Sequence, residues 1–189
     1  MKIIKKLAAC LVTMISLSMT QAWADNLPCQ PLKGIDAVWT RAPGAVIWVG
    51  EMHGTNEMPA LFGDMVCAAG ADGQPVVVVL ERLPIEEVFW GMFLGSDGGD
   101  EARGLLLFGF QWRSPSQDGR SSTAMLDLAD RLRRLRQAGR ITSIELADRF
   151  FDPKTPRDTQ MAQAVRDIKA KYPEARILVY TGNYHAMKK

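Results

Sequence analysis

Four short apolar runs punctuate the chain, and the stretches between them carry a helical period. The runs are Ala45-Val46-Ile47-Trp48-Val49, Val76-Val77-Val78-Val79-Leu80, Ile141-Thr142-Ser143-Ile144-Glu145-Leu146 and Arg176-Ile177-Leu178-Val179-Tyr180. They are rich in β-branched residues and mostly continuous rather than alternating, which predicts strands buried on both faces. Residues 57–69 place Leu61, Met65 and Ala68 at helical spacing, and residues 84–94 follow Pro84, which suits a helix start. Residues 122–138 set Met125, Leu128, Leu132 and Leu135 on one stripe and stop at Gly139. A helix over about 156–171 opens with the capping-box-like Thr155-Pro156-Arg157-Asp158 and turns Met161, Val165 and Ile168 inward. Strands alternating with helices in this way predict an α/β fold. Its sheet is mostly parallel, has about four or more strands, and is covered by helices.

One segment breaks the rhythm. Gly95 to Arg120 is glycine-rich at its start and aromatic later, with Phe108, Phe110 and Trp112. A connection this long in a compact domain is usually functional or disordered, and the aromatics oppose plain disorder. It reads as a lid or pocket wall, or else as a surface excursion whose aromatics cover the core.

The N-terminus has its own logic. Lys2, Lys5 and Lys6 precede an apolar run from Leu7 to about Met19, and Ala22-Trp23-Ala24 supplies small residues at a cleavage site. This pattern predicts a secretory signal peptide over residues 1–24, cleaved after Ala24, and a periplasmic or secreted single α/β domain over 25–189. The run is too short and too interrupted to anchor in a bilayer, and no later stretch reads as transmembrane. Removal of the signal leaves 20 basic against 21 acidic side chains, so no basic excess suggests a nucleic-acid partner. Cys29 and Cys67 remain in the mature chain, where export would let a bridge between them persist; two unpaired thiols are the alternative. Only Ala186, Met187, Lys188 and Lys189 follow His185. That end reads either as the sheet's closing strand or as the edge of a fragment of a longer protein.

In an open parallel sheet, ligands bind beyond the carboxyl ends of the strands, so the residues after each strand are the candidates. They are Glu51 and His53 after the first run, Glu81-Arg82 after the second, Asp148-Arg149 after the third, and Asn183-Tyr184-His185 after the fourth. Taken singly, the Glu81-Arg82 and Asp148-Arg149 pairs look like ordinary surface charge. The histidines do not, since both in the chain fall just past strand ends. Histidine is matched to proton transfer near neutral pH, and a carboxylate fixes its tautomer. Glu51, His53, Glu81 and His185 would equally suit a divalent metal such as zinc or manganese. Asp158 reads as a helix cap, whereas Arg157, a cation at a helix N-terminus, implies an ion pair with a site carboxylate or an anionic ligand.

Four segments together resemble one superfamily, which joins erythromycin esterases, ChaN-type haem-binding proteins and TIKI/TraB proteins. They are Val49-Gly50-Glu51-Met52-His53-Gly54-Thr55, Leu80-Glu81-Arg82, Arg157-Asp158 with Met161-Ala162, and Thr181-Gly182-Asn183-Tyr184-His185-Ala186. The resemblance implies an α/β fold with Glu51, His53, Glu81, Arg157 and His185 facing one pocket. The esterase branch is hydrolytic, the TIKI branch is similar to metal-dependent peptidases, and the ChaN branch binds haem. The single residue between Glu51 and His53 is more similar to the ChaN side than to the esterases, which have two. The family also usually continues past this last histidine motif. The expectation is a hydrolase-like protein that activates water for ester or amide hydrolysis of a small-molecule or peptide substrate, with or without a metal. In it His53 is the general base, Glu51 and Glu81 orient it or a metal, and Arg157 and His185 stabilise developing negative charge. The competing expectation is a haem- or iron-binding uptake protein without turnover, with Tyr184, the histidines and the aromatics of 108–112 as contacts.

Overall fold

The computed structural model describes residues 29–41, 44–149 and 152–187. The predicted signal peptide and its cleavage site therefore lie outside the described residues. Among those residues no helix is long and apolar enough to cross a membrane.

Among the described residues the sheet has four strands: β1 (Val46–Glu51), β2 (Val76–Leu80), β3 (Ser143–Leu146) and β4 (Arg176–Gly182). Every pairing is parallel, and the spatial order is β1-β4-β2-β3. The helices are α1 (Ile35–Arg41), α2 (Glu57–Ala69), α3 (Glu87–Leu94), α4 (Asp100–Leu107), α5 (Thr123–Gln137), α6 (Arg157–Lys171) and the single turn α7 (Asn183–Ala186), with a 3-10 turn at Pro84–Glu86. This is the expected α/β fold.

The continuous apolar runs have a direct cause. Alternate residues of a strand face opposite sides of a sheet. Val76, Val78 and Leu80 of β2, with Leu178 and Tyr180 of β4, face a core built with α2, α3, α4 and α5. Val77, Val79, Ile177 and Val179 face the other core, where Met161, Ala164, Val165 and Ile168 of α6 cover them. With both faces roofed, no polar residue fits at β2, and all five of its positions are buried.

The stripes of α5 and α6 are buried as predicted. That of α2 is rotated: Phe62, Val66, Cys67 and Ala69 face the core, and Leu61 is exposed. Two contacts fix the rotation. Phe62 stacks on Tyr180 with ring centroids 4.5 Å apart, and Cys67 is disulfide-bonded to Cys29 with a Cα–Cα separation of 5.5 Å. The bridge closes a loop with a sequence separation of 38, which in the chain-entropy model contributes about 4 kcal/mol.

The 95–120 segment is not one long loop. Its glycine-rich start ends at Gly99, the N-cap of α4, and Phe108 and Phe110 stand exposed. Its last residues reach the cleft at the sheet edge, where Asp118 and Arg120 form part of the wall.

Candidate active site

Parallel strands put their carboxyl ends on one edge, and the last residues of each strand carry the chemistry there. Glu51 closes β1 and pairs in register with Gly182 at the end of β4. Glu81 follows β2, its N–H bonded to the carbonyl of Tyr180. Asp148 follows β3, its N–H bonded to the carbonyl of Arg82. Above them lies a cleft of about 360 Å³ lined by Glu51, His53, Glu81, Arg157, Tyr184 and His185. These six, to which the sequence assigned catalytic or binding roles, thus share one cavity, while the strand-end candidates Arg82, Asp148 and Arg149 do not line it. Its wall also contains Asp118, Arg120, Gly182 and Asn183.

Two glycine contacts shape the walls. Gly54, with φ +86°, turns the chain after His53, and a Cβ on Gly119 would fall 2.3 Å from its backbone nitrogen. Only two backbones without side chains approach this closely, so the His53 turn and the Arg120 turn lie directly against each other. Gly182 forms the floor, where a Cβ would come within 2.9 Å of His53 Nε2.

One side of the cleft is a relay. The Tyr180 hydroxyl donates to Glu51 Oε2, and His53 Nδ1 lies 2.8 Å from Glu51 Oε1. Glu51 is only 3% exposed, and both its oxygens are thereby engaged. Burial, reinforced by Glu51, raises the Tyr180 phenol far above its ordinary range, so it remains a donor. The Glu51 hydrogen bond raises the His53 pKa above the usual 6.5, against the opposing effect of burial. With Nδ1–H directed to the carboxylate, neutral His53 carries its lone pair on Nε2. That atom has no hydrogen-bond partner among the described residues.

The other side is an ion-pair lattice. Arg157 donates from Nη2 to Glu81 Oε1 at 2.6 Å and Asp148 Oδ2 at 2.7 Å, and from Nε to Asp148 Oδ1 at 2.7 Å. Arg120 Nη1 reaches the same Glu81 and Asp148 oxygens at 2.9 and 3.3 Å. The second Glu81 oxygen accepts the Gly182 N–H at 2.7 Å. The Asp148 hydrogen bond, with Glu81 behind it, raises Arg157 well above the ordinary arginine range. Burial alone would raise the Asp118 carboxyl, but its bonds to Arg120 outweigh that and leave it at about 2. His185 is locked into the lattice, with Nδ1 2.5 Å from Asp158 Oδ1 and Nε2 2.8 Å from Arg157 Nη1.

Three expectations change on this geometry. Asp158 does not cap α6, since the N-cap is Pro156 with no side-chain cap bond; its carboxylate orients His185 instead. Glu81, Arg82 and Asp148 are buried rather than surface charge. Nor do Glu51, His53, Glu81 and His185 suit a metal: among the described residues no group of three or more His, Cys, Asp or Glu is arranged to hold one. Tyr180, Arg120, Arg157, Asp158 and the Gly182 N–H bond the other donor atoms of this set, and among the described residues only His53 Nε2 has no hydrogen-bond partner.

Sequence reasoning missed Arg120 and Asp118, whose one local signal is the Asp118-Gly119 turn with Gly119 at φ +98°. It also missed Tyr180, whose hydroxyl is hidden in an otherwise apolar strand. The haem contacts predicted from sequence divide between two places. Tyr184 stands 76% exposed at the cleft, whereas Phe108 and Phe110 line a separate hollow with Ile85, Phe89 and Arg113.

No family model and no curated protein matches the chain. A solved structure described as that of the type III effector HopBA1 is similar to it, with a TM-score of 0.53 and 18% identity over 82% of this chain and 75% of that one. At this identity the likeness is one of fold.

Proposed function

We propose that the chain is an exported hydrolase-like protein of the erythromycin esterase, ChaN and TIKI/TraB superfamily, with His53 as general base for ester or amide hydrolysis. The observation that carries this reading is the Tyr180–Glu51–His53 relay, which leaves Nε2 of one histidine open in a cleft where other donor atoms are taken. His53 Nε2 takes a proton from water as its oxygen attacks the carbonyl carbon. The tetrahedral oxyanion then collapses, the C–O or C–N bond breaks, and His53 returns the proton to the leaving group. A guanidinium has five N–H donors. The ion pairs and the His185 contact leave Arg120 and Arg157 about one each for the oxyanion, which supports electrostatic stabilisation at this wall. His185, with both nitrogens engaged, acts by holding Arg157. The Cys29–Cys67 bridge supports export, because disulfides persist in oxidising compartments.

The test is an ester and amide panel on wild type and His53→Ala, with metal content and haem absorbance read on the same preparation. Loss of one general base costs ~10²–10⁴-fold. Hydrolysis unchanged in His53→Ala rejects the reading. N-terminal sequencing of periplasmic protein should begin at Asp25, and full-length protein found only in the cytoplasm rejects export. The exposed Tyr184 phenol favours a second reading, a haem carrier without turnover. That reading requires a Soret band on haem titration that weakens in Tyr184→Phe.

A further inference from the structure

Glu81 and Arg82 are consecutive, yet they serve different sides of the same segment. Glu81 lines the cleft and holds the Arg120 side chain, while Arg82 lies against Trp112, Arg120 and Ser121 of that segment. Its guanidinium lies 4.5 Å from the Trp112 ring centroid and 5.9 Å from that of Trp90. It donates from Nη2 to the Arg120 carbonyl and from Nη1 to Ser121 Oγ at 3.4 Å. Glu86, itself fully buried, lies 3.8 Å from Arg82 and accepts the Gln111 N–H at 2.5 Å. Gln111 in turn accepts the Leu83 N–H at 3.1 Å, and Ser121 donates to the Gln111 carbonyl at 3.0 Å. An arginine that is 1% exposed is costly to bury unless it is paired and hydrogen-bonded. What this one organises is the backbone that carries Arg120.

We propose that Arg82 is the positioning residue for Arg120: it fixes the 120–121 backbone from below while Glu81 fixes the Arg120 side chain from above. The inference rests on the hydrolytic reading for its effect on rate, but the geometry has a consequence that needs no turnover. The charged groups that act most on His53 include Glu51, Glu81, Asp118 and Arg120. Of these only Arg120 opposes protonation. When Arg120 leaves its place, His53 should bind its proton more tightly.

The experiment is an NMR titration of His53 in the full chain, with its signal separated from that of His185 by a His185→Asn control. Arg120→Ala and Arg82→Met should each raise the His53 pKa, and the double variant should raise it no further than Arg120→Ala alone. On the hydrolytic reading, kcat/KM should fall about tenfold and equally in the two single variants. A folded Arg82→Met with the wild-type His53 pKa, or a double variant whose shift is the sum of the two, overturns the proposal. If Arg82→Met does not fold, Arg82→Lys decides. One ammonium cannot lie on Trp112 and bridge both acceptors, so the shift should appear in the same direction, and its absence overturns the proposal. Inactivity of the wild type with the pKa shifts intact rejects the hydrolytic reading alone.

Discussion

His53 and His185 stand at the ends of neighbouring strands, each with Nδ1 against a carboxylate, Glu51 for one and Asp158 for the other. On that view they are equivalent. Their second nitrogens differ: Nε2 of His53 opens over Gly182, whereas Nε2 of His185 meets Arg157 Nη1. A histidine–carboxylate pair is therefore not by itself a general base. What decides the role is whether the far nitrogen is left for a proton from outside, and here only the β1 side leaves it so.

The comparison breaks most visibly in the paired alanine and asparagine variants. With the base removed, His53→Ala should lose ~10²–10⁴-fold in kcat/KM. His185→Asn gives up its contacts with Asp158 and Arg157; the one that reaches the cleft arginine is worth about 1 kcal/mol, and the variant should lose about tenfold or less. Equal losses would abolish the distinction. Gly182→Ala comes next. Its φ of −56° tolerates alanine, so the Cβ acts only by pressing on His53 Nε2 and Cε1 at 2.9 and 3.1 Å. Displacing a reacting group in this way costs on the order of a hundredfold in rate. The thermal midpoint should barely change, and a fall in it without a rate loss would contradict the placement of Nε2.

The smallest effect is in pH. On the hydrolytic reading neutral His53 is the base, and with its pKa raised kcat/KM should fall on the acid side through a pKa above 6.5, which Glu51→Gln should move down. An acid limb unmoved by Glu51→Gln would remove Glu51 from the relay. The same pair affects stability with the opposite sense. Its contribution is fully present below the unfolded value of 6.5 and is lost as pH rises through the higher folded value. Measured against wild type, the stability deficit of Glu51→Gln should therefore shrink with rising pH across that window.

The sheet was legible because continuous apolar runs and helical stripes survive in any order of reading, and the strand-end rule then found Glu51, Glu81 and both histidines. The α2 stripe failed because Leu61 and Phe62 are both apolar, so periodicity cannot choose between two adjacent faces; the Tyr180 stack and the disulfide choose. Arg120 failed for a different reason. It sits in an irregular segment without period, and its value comes from Glu81 and Asp148, 39 and 28 residues away. Arg82 was taken for surface charge because sequence cannot show two tryptophans closing around a guanidinium. Asp158 looked like a helix cap because its position permits one, and only the fold shows that His185 claims it first.

The strand order also bears on when the site comes into being. β1 and β2 share no hydrogen bond with each other; each pairs with β4, which lies between them although it is the last of the four along the chain. Until residues 176–182 are synthesised, β2 can pair only with β3, and nothing in the sheet ties the His53 turn to Glu81. The Tyr180–Glu51 bond alone spans 129 residues. Contacts this distant are entropically late and make assembly slow. The ends of β1 and β2 are thus joined in one sheet only when the last of the four strands slots between the earlier ones.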